Sequence, residues 1–488
     1  MKKSPKYNSV ITSALLLILL VSCSNFLEQE PGKQISINEQ MATKNGVLMA
    51  LTGTYSSLEE LMRIEAFATY GDLQGGNLSF TPVATGSLKG QVSVPYLVEN
   101  VYNFQDDPRS SNFESFYDAA YDVINQANLI LTYVADLNDA SESEISEISA
   151  EAYAIRGFTH FLLSQIYAKD YSAGGDNPGI VYMDSSLDNN LSYPSRSSLS
   201  ETMTLIIEDM NMALSSFESA QALDGPEYSY FNTANVQALL ARIYLAAGQY
   251  DNAIETAESV ITNSGYSLTS GENYIAQWES YSTPLSETLF ELTPPRDQNG
   301  SIGGSLQSFF GYTSSTTFGD YIASADLLDI FEENDIRGNG MFFSTELDTD
   351  INGTLTPVSY AFTKKFQGEP GIPVIRLSEM YLIMAEALQQ SGEDQEALNY
   401  VNVIRERANI EAITSTEDLE NTILLERRRE FCFEGALFFD LKRLQKDIVR
   451  NDCIATTCDL VYYSNYYVLP IPQKNINLNE NLEQNEGY

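Results

Sequence analysis

Between Thr233 and Ile261 the chain reads TANVQALLARIYLAAGQYDNAIETAESVI, and this stretch limits the fold more tightly than any other. Val236, Leu239, Leu240, Ile243, Tyr244 and Ala247 fall at i, i+3, i+4, i+7, i+8 and i+11, one unbroken apolar stripe at the helical period. Gly248-Gln249 breaks the helix, and Tyr250, Ala253, Ile254, Ala257 and Ile261 resume the stripe on a second one. Small alanines let two antiparallel helices approach closely, so the segment reads as a helical hairpin. A lone hairpin cannot bury its own apolar face and needs others to stack on.

The same spacing recurs. Arg376–Gln390 carries Leu377, Met380, Tyr381, Met384, Ala385 and Leu388, followed by Ala397, Val401, Ile404 and Ala408 on a partner helix. Ala150–Ile166 pairs by the same logic with Leu199–Phe217, and Phe113–Leu131 with Gly46–Leu61. The expected fold is mainly α: a tetratricopeptide-like scaffold of about four dispersed hairpins. Its helical parts are 34–275 and 371–488, and an irregular, loop-rich, partly β insertion over about 276–370 carries the working face.

Lys2, Lys3 and Lys6 precede the apolar run Val10–Val21, the layout of an export signal too short to span a bilayer. Leu20-Val21-Ser22-Cys23 resembles a bacterial lipobox, which makes Cys23 the acylated first residue, carrying a diacylglyceryl group and a further acyl chain such as palmitate. Residues 23–33 then form a tether. Several acyl chains hold a protein on a membrane without a spanning helix. Cleavage after residue 22 removes three lysines and no acids, taking the net charge from −40 to −43. Such a surface repels phosphate backbones, which argues against nucleic-acid binding.

Gly/Ser-rich loops hold aromatics that a core does not obviously need: Tyr96, Tyr102 and Phe104 with Asn103 in one, Phe309, Phe310 and Tyr312 in another. A sugar stacks its C–H face on such rings while its hydroxyls bond to amides, although local loop packing explains rings equally simply. Trp278 reads as core. Asp348, Asp350, Asn352 and Gly353 match the start of a calcium loop, but Ser359 stands where the bidentate glutamate belongs, and Asn352-Gly353 is a strong hairpin turn. Cys453 and Cys458 can close a small disulfide, whereas Cys432 between Phe431 and Phe433 reads as a buried thiol. The single histidine, His160, lies inside a striped helix with no nucleophile elbow to serve. With no phosphate loop, zinc pattern or cofactor motif, the expectation is a non-catalytic binding protein without cofactor or metal.

The C-terminal third carries a resemblance. Arg376-Leu377-Ser378-Glu379-Met380-Tyr381-Leu382 with Ala385-Glu386-Ala387, Glu426-Arg427-Arg428-Arg429-Glu430-Phe431 with Phe433-Glu434-Gly435, and Phe439-Asp440-Leu441-Lys442-Arg443 resemble the SusD/RagB family of nutrient-binding lipoproteins. The ending from Leu469-Pro470 to Gly487-Tyr488 is similar too, with Asn475-Ile476 and Glu480 departing from the family pattern. Acids around Arg427–Arg429 make those arginines structural ion-pair partners rather than an anion site. The resemblance implies an outer-membrane, surface-exposed lipoprotein that lids a SusC-like TonB-dependent transporter. It would pass on oligosaccharide or polysaccharide, neutral given the charge, or peptide in the RagB branch. Tyr96–Phe104 and Phe309–Tyr312 are its implied ligand elements, placed by region only.

Overall fold

The computed structural model describes residues 36–187, 193–218, 222–279, 284–293, 305–367 and 371–488. The leader, Cys23 and the tether lie outside the described residues.

Every striped segment is a helix. They are α1 (Lys44–Met62), α3 (Glu114–Val134), α4 (Glu142–Tyr167), α5 (Leu199–Ser216), α6 (Thr233–Ala246), α7 (Tyr250–Asn263), α8 (Leu377–Gln390) and α9 (Asp394–Arg407). Polar residues start several of them: Thr43 accepts from the Gly46 N–H, Ser198 from the Glu201 N–H, and Ser141 forms a capping box with Glu144. The hairpins α6–α7 and α8–α9 turn alike. Gly248 and Gly392 take left-handed backbone (φ +67 and +85), and the next N–H reaches back to the carbonyls of Tyr244 and Leu388.

The helices stack in one series: α1 on α3, α3 on α4, α4 on α5, α6 on α7, α7 on α8 and α8 on α9, so two hairpins far apart in sequence become neighbours. Three shorter helices complete the body: α2 (Glu65–Gly75), α10 (Leu419–Phe431) and α11 (Leu437–Arg443). α2 has no amphipathic stripe because both its faces are buried, Ala66, Thr69, Tyr70, Asp72, Leu73 and Gln74 included.

The chain between α7 and α8 is tied at its base by antiparallel pairing of β2 (Thr288–Leu292) with β8 (Ile372–Arg376). Within it, β3 (Tyr312–Ser314) pairs with β4 (Thr317–Phe318), and β6 (Phe342–Ile351) with β7 (Thr354–Thr363). β5 (Tyr321–Ala323) leaves this region to pair with β1 (Leu78–Phe80). The Asp348–Gly353 segment is the turn of β6–β7: Asn352 and Gly353 both have positive φ, and the Asp350 carboxylate accepts from the Gly353 N–H at 2.6 Å.

Beneath β2 and β8 lies a buried ion cluster. Arg376 contacts Glu287, Glu430 (3.0 Å) and Glu434 (2.8 Å); Arg337 binds Asp335 (2.8 Å), Glu426 (2.7 Å) and Glu430 (3.1 Å). Arg427 pairs with Asp440, and Arg429 with Glu332 and Glu426. Arg428 departs from the expected ion pairing, donating to the Asn77 amide oxygen and the Gly76 carbonyl.

Candidate functional site

Pro95 leads into a one-turn 3-10 helix, Tyr96–Val98, which continues as Glu99–Tyr102. The period turns Val98, Val101 and Tyr102 inward and leaves Tyr96 82% and Leu97 53% exposed. Asn112 fixes this turn: its amide oxygen accepts from the N–H groups of Asn100 (3.0 Å) and Val101 (3.2 Å), and its amide nitrogen donates to the Tyr96 carbonyl. Tyr96 is therefore an exposed ring on a rigid support, a form suited to stacking.

The other rings of this segment correct the sequence reading. Tyr102 and Phe104 are sealed in the core, the Tyr102 ring edge-on to Phe80 at 5.0 Å. The Arg450 guanidinium lies 4.5 Å from the centroid of each. Burial lowers the Arg450 pKa to about 10. Neither ring has a face left for a ligand. Asn103 is half-buried, and its side chain is spent on the Glu99 carbonyl and the Thr456 N–H.

In the second segment, Phe310 is buried edge-on to Phe433 at 5.2 Å and is likewise core. Phe309 is half-buried, and Tyr312 is half-buried between Phe318 and Phe362. The core links the two segments. Ring contacts run from Tyr102 to Phe80 (5.0 Å), Phe80 to Tyr321 (5.8 Å) and Tyr321 to Phe310 (6.1 Å), through the β1–β5 pair.

Two further loops join this region. The 82–92 loop meets the β6–β7 hairpin through Lys89–Asp348 (2.7 Å) and the Asp350 N–H on the Gly90 carbonyl. The loop closed by the Cys453–Cys458 disulfide (Cα–Cα 5.9 Å) covers Tyr102, whose hydroxyl accepts from the Ile454 N–H. Asp452 and Asp326 clip that loop to the start of the short helix after β5. The paired cysteines were the only sequence signal for it.

His160 is buried, bonded to the Arg156 carbonyl and the Met183 N–H, and stacked on Tyr182 at 3.8 Å. Burial and Arg156 push its pKa down to about 3, so it is neutral at physiological pH. Trp278 and Cys432 are buried. Glu151 and Glu291, raised to about 7 by burial, are both core groups, Glu151 accepting from the Tyr55 hydroxyl at 2.5 Å. Among the described residues no group of three or more His, Cys, Asp or Glu could hold a metal, and no helix is long and apolar enough to cross a membrane.

Known proteins share both halves of this layout. Residues 358–488 match the profile of the SusD family, and residues 26–245 match a family described as starch-binding and associating with the outer membrane. A crystal structure of a SusD superfamily protein from Bacteroides thetaiotaomicron superposes with a TM-score of 0.78 at 26% identity, over 91% of this chain and 99% of that one. The chain belongs to the SusD family. SusD-like protein P2 of Formosa agariphila is 26% identical across 98% of this chain and 99% of its own. The starch-binding protein SusD of Bacteroides thetaiotaomicron is 35% identical over 146 residues, 27% of this chain and 23% of that one. Of the motif residues of this SusD-family chain, Arg376, Arg427 and Glu430 are buried and Glu434 is partly buried, all in the ion cluster that supports β2 and β8.

Proposed function

We propose that this SusD-family protein is a non-catalytic, lipid-anchored protein of the outer-membrane surface that captures oligosaccharide or polysaccharide for a SusC-like TonB-dependent transporter. The observation that carries the reading is Tyr96, a largely exposed ring on a turn held by three Asn112 hydrogen bonds, in a chain whose N-terminal half matches a starch-binding family. Lipid attachment at Cys23 and cleavage after residue 22 complete it. Phe309 and Tyr312 are the secondary contacts. A ring and a few hydroxyl bonds give weak binding, a Kd of roughly 1 μM–1 mM, which suffices beside a channel mouth.

Native affinity electrophoresis against soluble starch, a mannan, a xylan and an unrelated peptide set tests this. Retardation by a neutral glycan, lost about three- to tenfold in Tyr96→Ala with unchanged Tm, is the expected result. Silence on every glycan with binding to peptides assigns the protein to peptide import instead.

A further inference from the structure

A second concavity lies along α3, away from the aromatic turn. One wall is the face of α3 that carries Tyr117, Asp118, Tyr121, Asp122 and Asn125; the others are the segment Val181–Leu187 with Tyr193, and the C-terminal helix α12 (Gln473–Leu478) with Asn479 and Leu482. The cavity measures about 510 Å³, within the range of pockets that enclose small ligands.

Its walls are pinned. The Tyr121 hydroxyl donates to the Val181 carbonyl (2.9 Å), the Asn128 amide to the carbonyls of Met183 (3.0 Å) and Ser185 (3.1 Å), and the Leu187 N–H to the Asn125 amide oxygen (2.9 Å). On the other side, Asn479 and Asn481 donate to the carbonyls of Pro194 and Tyr193 (both 2.8 Å), and Lys474 bridges Glu114 and Asp118.

The lining has a consistent chemistry. Ile124, Val181 and Leu482 form an apolar floor, and the exposed Leu187, Tyr193 and Leu478 form apolar lips. Between them stand hydrogen-bond acceptors. Asp118 and Asp122 line the groove, Asp122 as an exposed carboxylate. Flat apolar faces alternating with acceptors suit a ligand with C–H faces and many hydroxyl donors. Lys474 is shared between Glu114 and Asp118, so with Asp122 the groove keeps a negative balance that disfavours an anionic ligand.

We infer that this groove is a second carbohydrate subsite, taking the end of a neutral oligosaccharide. The inference rests on the proposed carbohydrate-binding function. It adds a place where a longer chain engages the protein twice, because Asn112, which holds the Tyr96 turn, lies just before α3, and Asp122 is eight residues, about 12 Å, into that helix. Two weak contacts on one chain multiply through effective concentration.

The experiment compares wild type, Tyr96→Ala, the pair Asp122→Ala with Tyr193→Ala, and the groove-filling Ser185→Trp. Each is run through affinity gels with soluble starch, a mannan, a xylan and a lysine-containing peptide set, with Tm as the check on folding. Both groove variants are expected to bind the retarding glycan about three- to tenfold more weakly at unchanged Tm, and adding Tyr96→Ala to weaken binding further. Groove variants that bind as wild type while Tyr96→Ala is impaired overturn the groove and leave the proposed function standing. A wild type unretarded by any glycan overturns both. Groove variants that lose only peptide binding make this a peptide site and overturn the inference.

Discussion

Arg376 ends β8 and begins α8, and its buried guanidinium reaches Glu287, Glu430 and Glu434. Burial pushes the Glu430 carboxyl up, but Arg407, Arg376 and Arg337 outweigh it and hold it well below the usual carboxylate range. Removing one member strands buried charge, so Arg376→Met should cost about 3–5 kcal/mol, read as a fall in the denaturation midpoint. Glu151 has the opposite sign. Its pKa of about 7 lies above that of the unfolded chain, so the folded state binds more protons between the two values and loses stability as pH rises through about 4.5 to 7. Glu151→Gln should raise stability by about 1–3 kcal/mol at pH 8 and change little at pH 4.5, measured as Tm across that range.

At the scale of elements, the periodic helices were legible and the helices α2 and α10 were not. Stripes mark helices with one wet face, whereas α2 is wrapped on all sides and α10 buries Glu426, Arg427, Arg429 and Glu430, residues that read as solvent-facing. The β6–β7 hairpin follows from its turn. Gly353 has φ +82, which a side chain adopts only with strain, so Gly353→Val should destabilise the hairpin by about 1 kcal/mol. Faster hydrogen exchange confined to β6 and β7 is the expected measurement. Because the Asp350 carboxylate is committed to the Gly353 N–H, added calcium should leave the Tm unchanged.

Across the whole molecule, most of the net charge of −40 lies on the surface, because the buried cations are matched by buried acids. Arg156, Arg337, Arg376, Arg407 and Lys365 are all buried against acids. Solvent therefore meets an excess of carboxylates, and self-repulsion follows. Raising salt from about 10 to 200 mM should raise the Tm at pH 8 by screening that repulsion. Sulfated or uronate polysaccharides should retard the protein less than neutral ones in affinity gels.

Local pattern alone determined the helical hairpins, their glycine turns, the disulfide-spaced cysteines and the hairpin at Asn352-Gly353, because period, capping and turn chemistry act over a few neighbouring residues. The exposure of individual rings needed the tertiary structure. Tyr96 and Tyr102 lie six residues apart in similar surroundings, yet one faces water and the other is sealed under Arg450 and the disulfide loop, more than three hundred residues later in the chain. Burial is set by what the fold brings from elsewhere, and so are the partners of every arginine in the ion cluster.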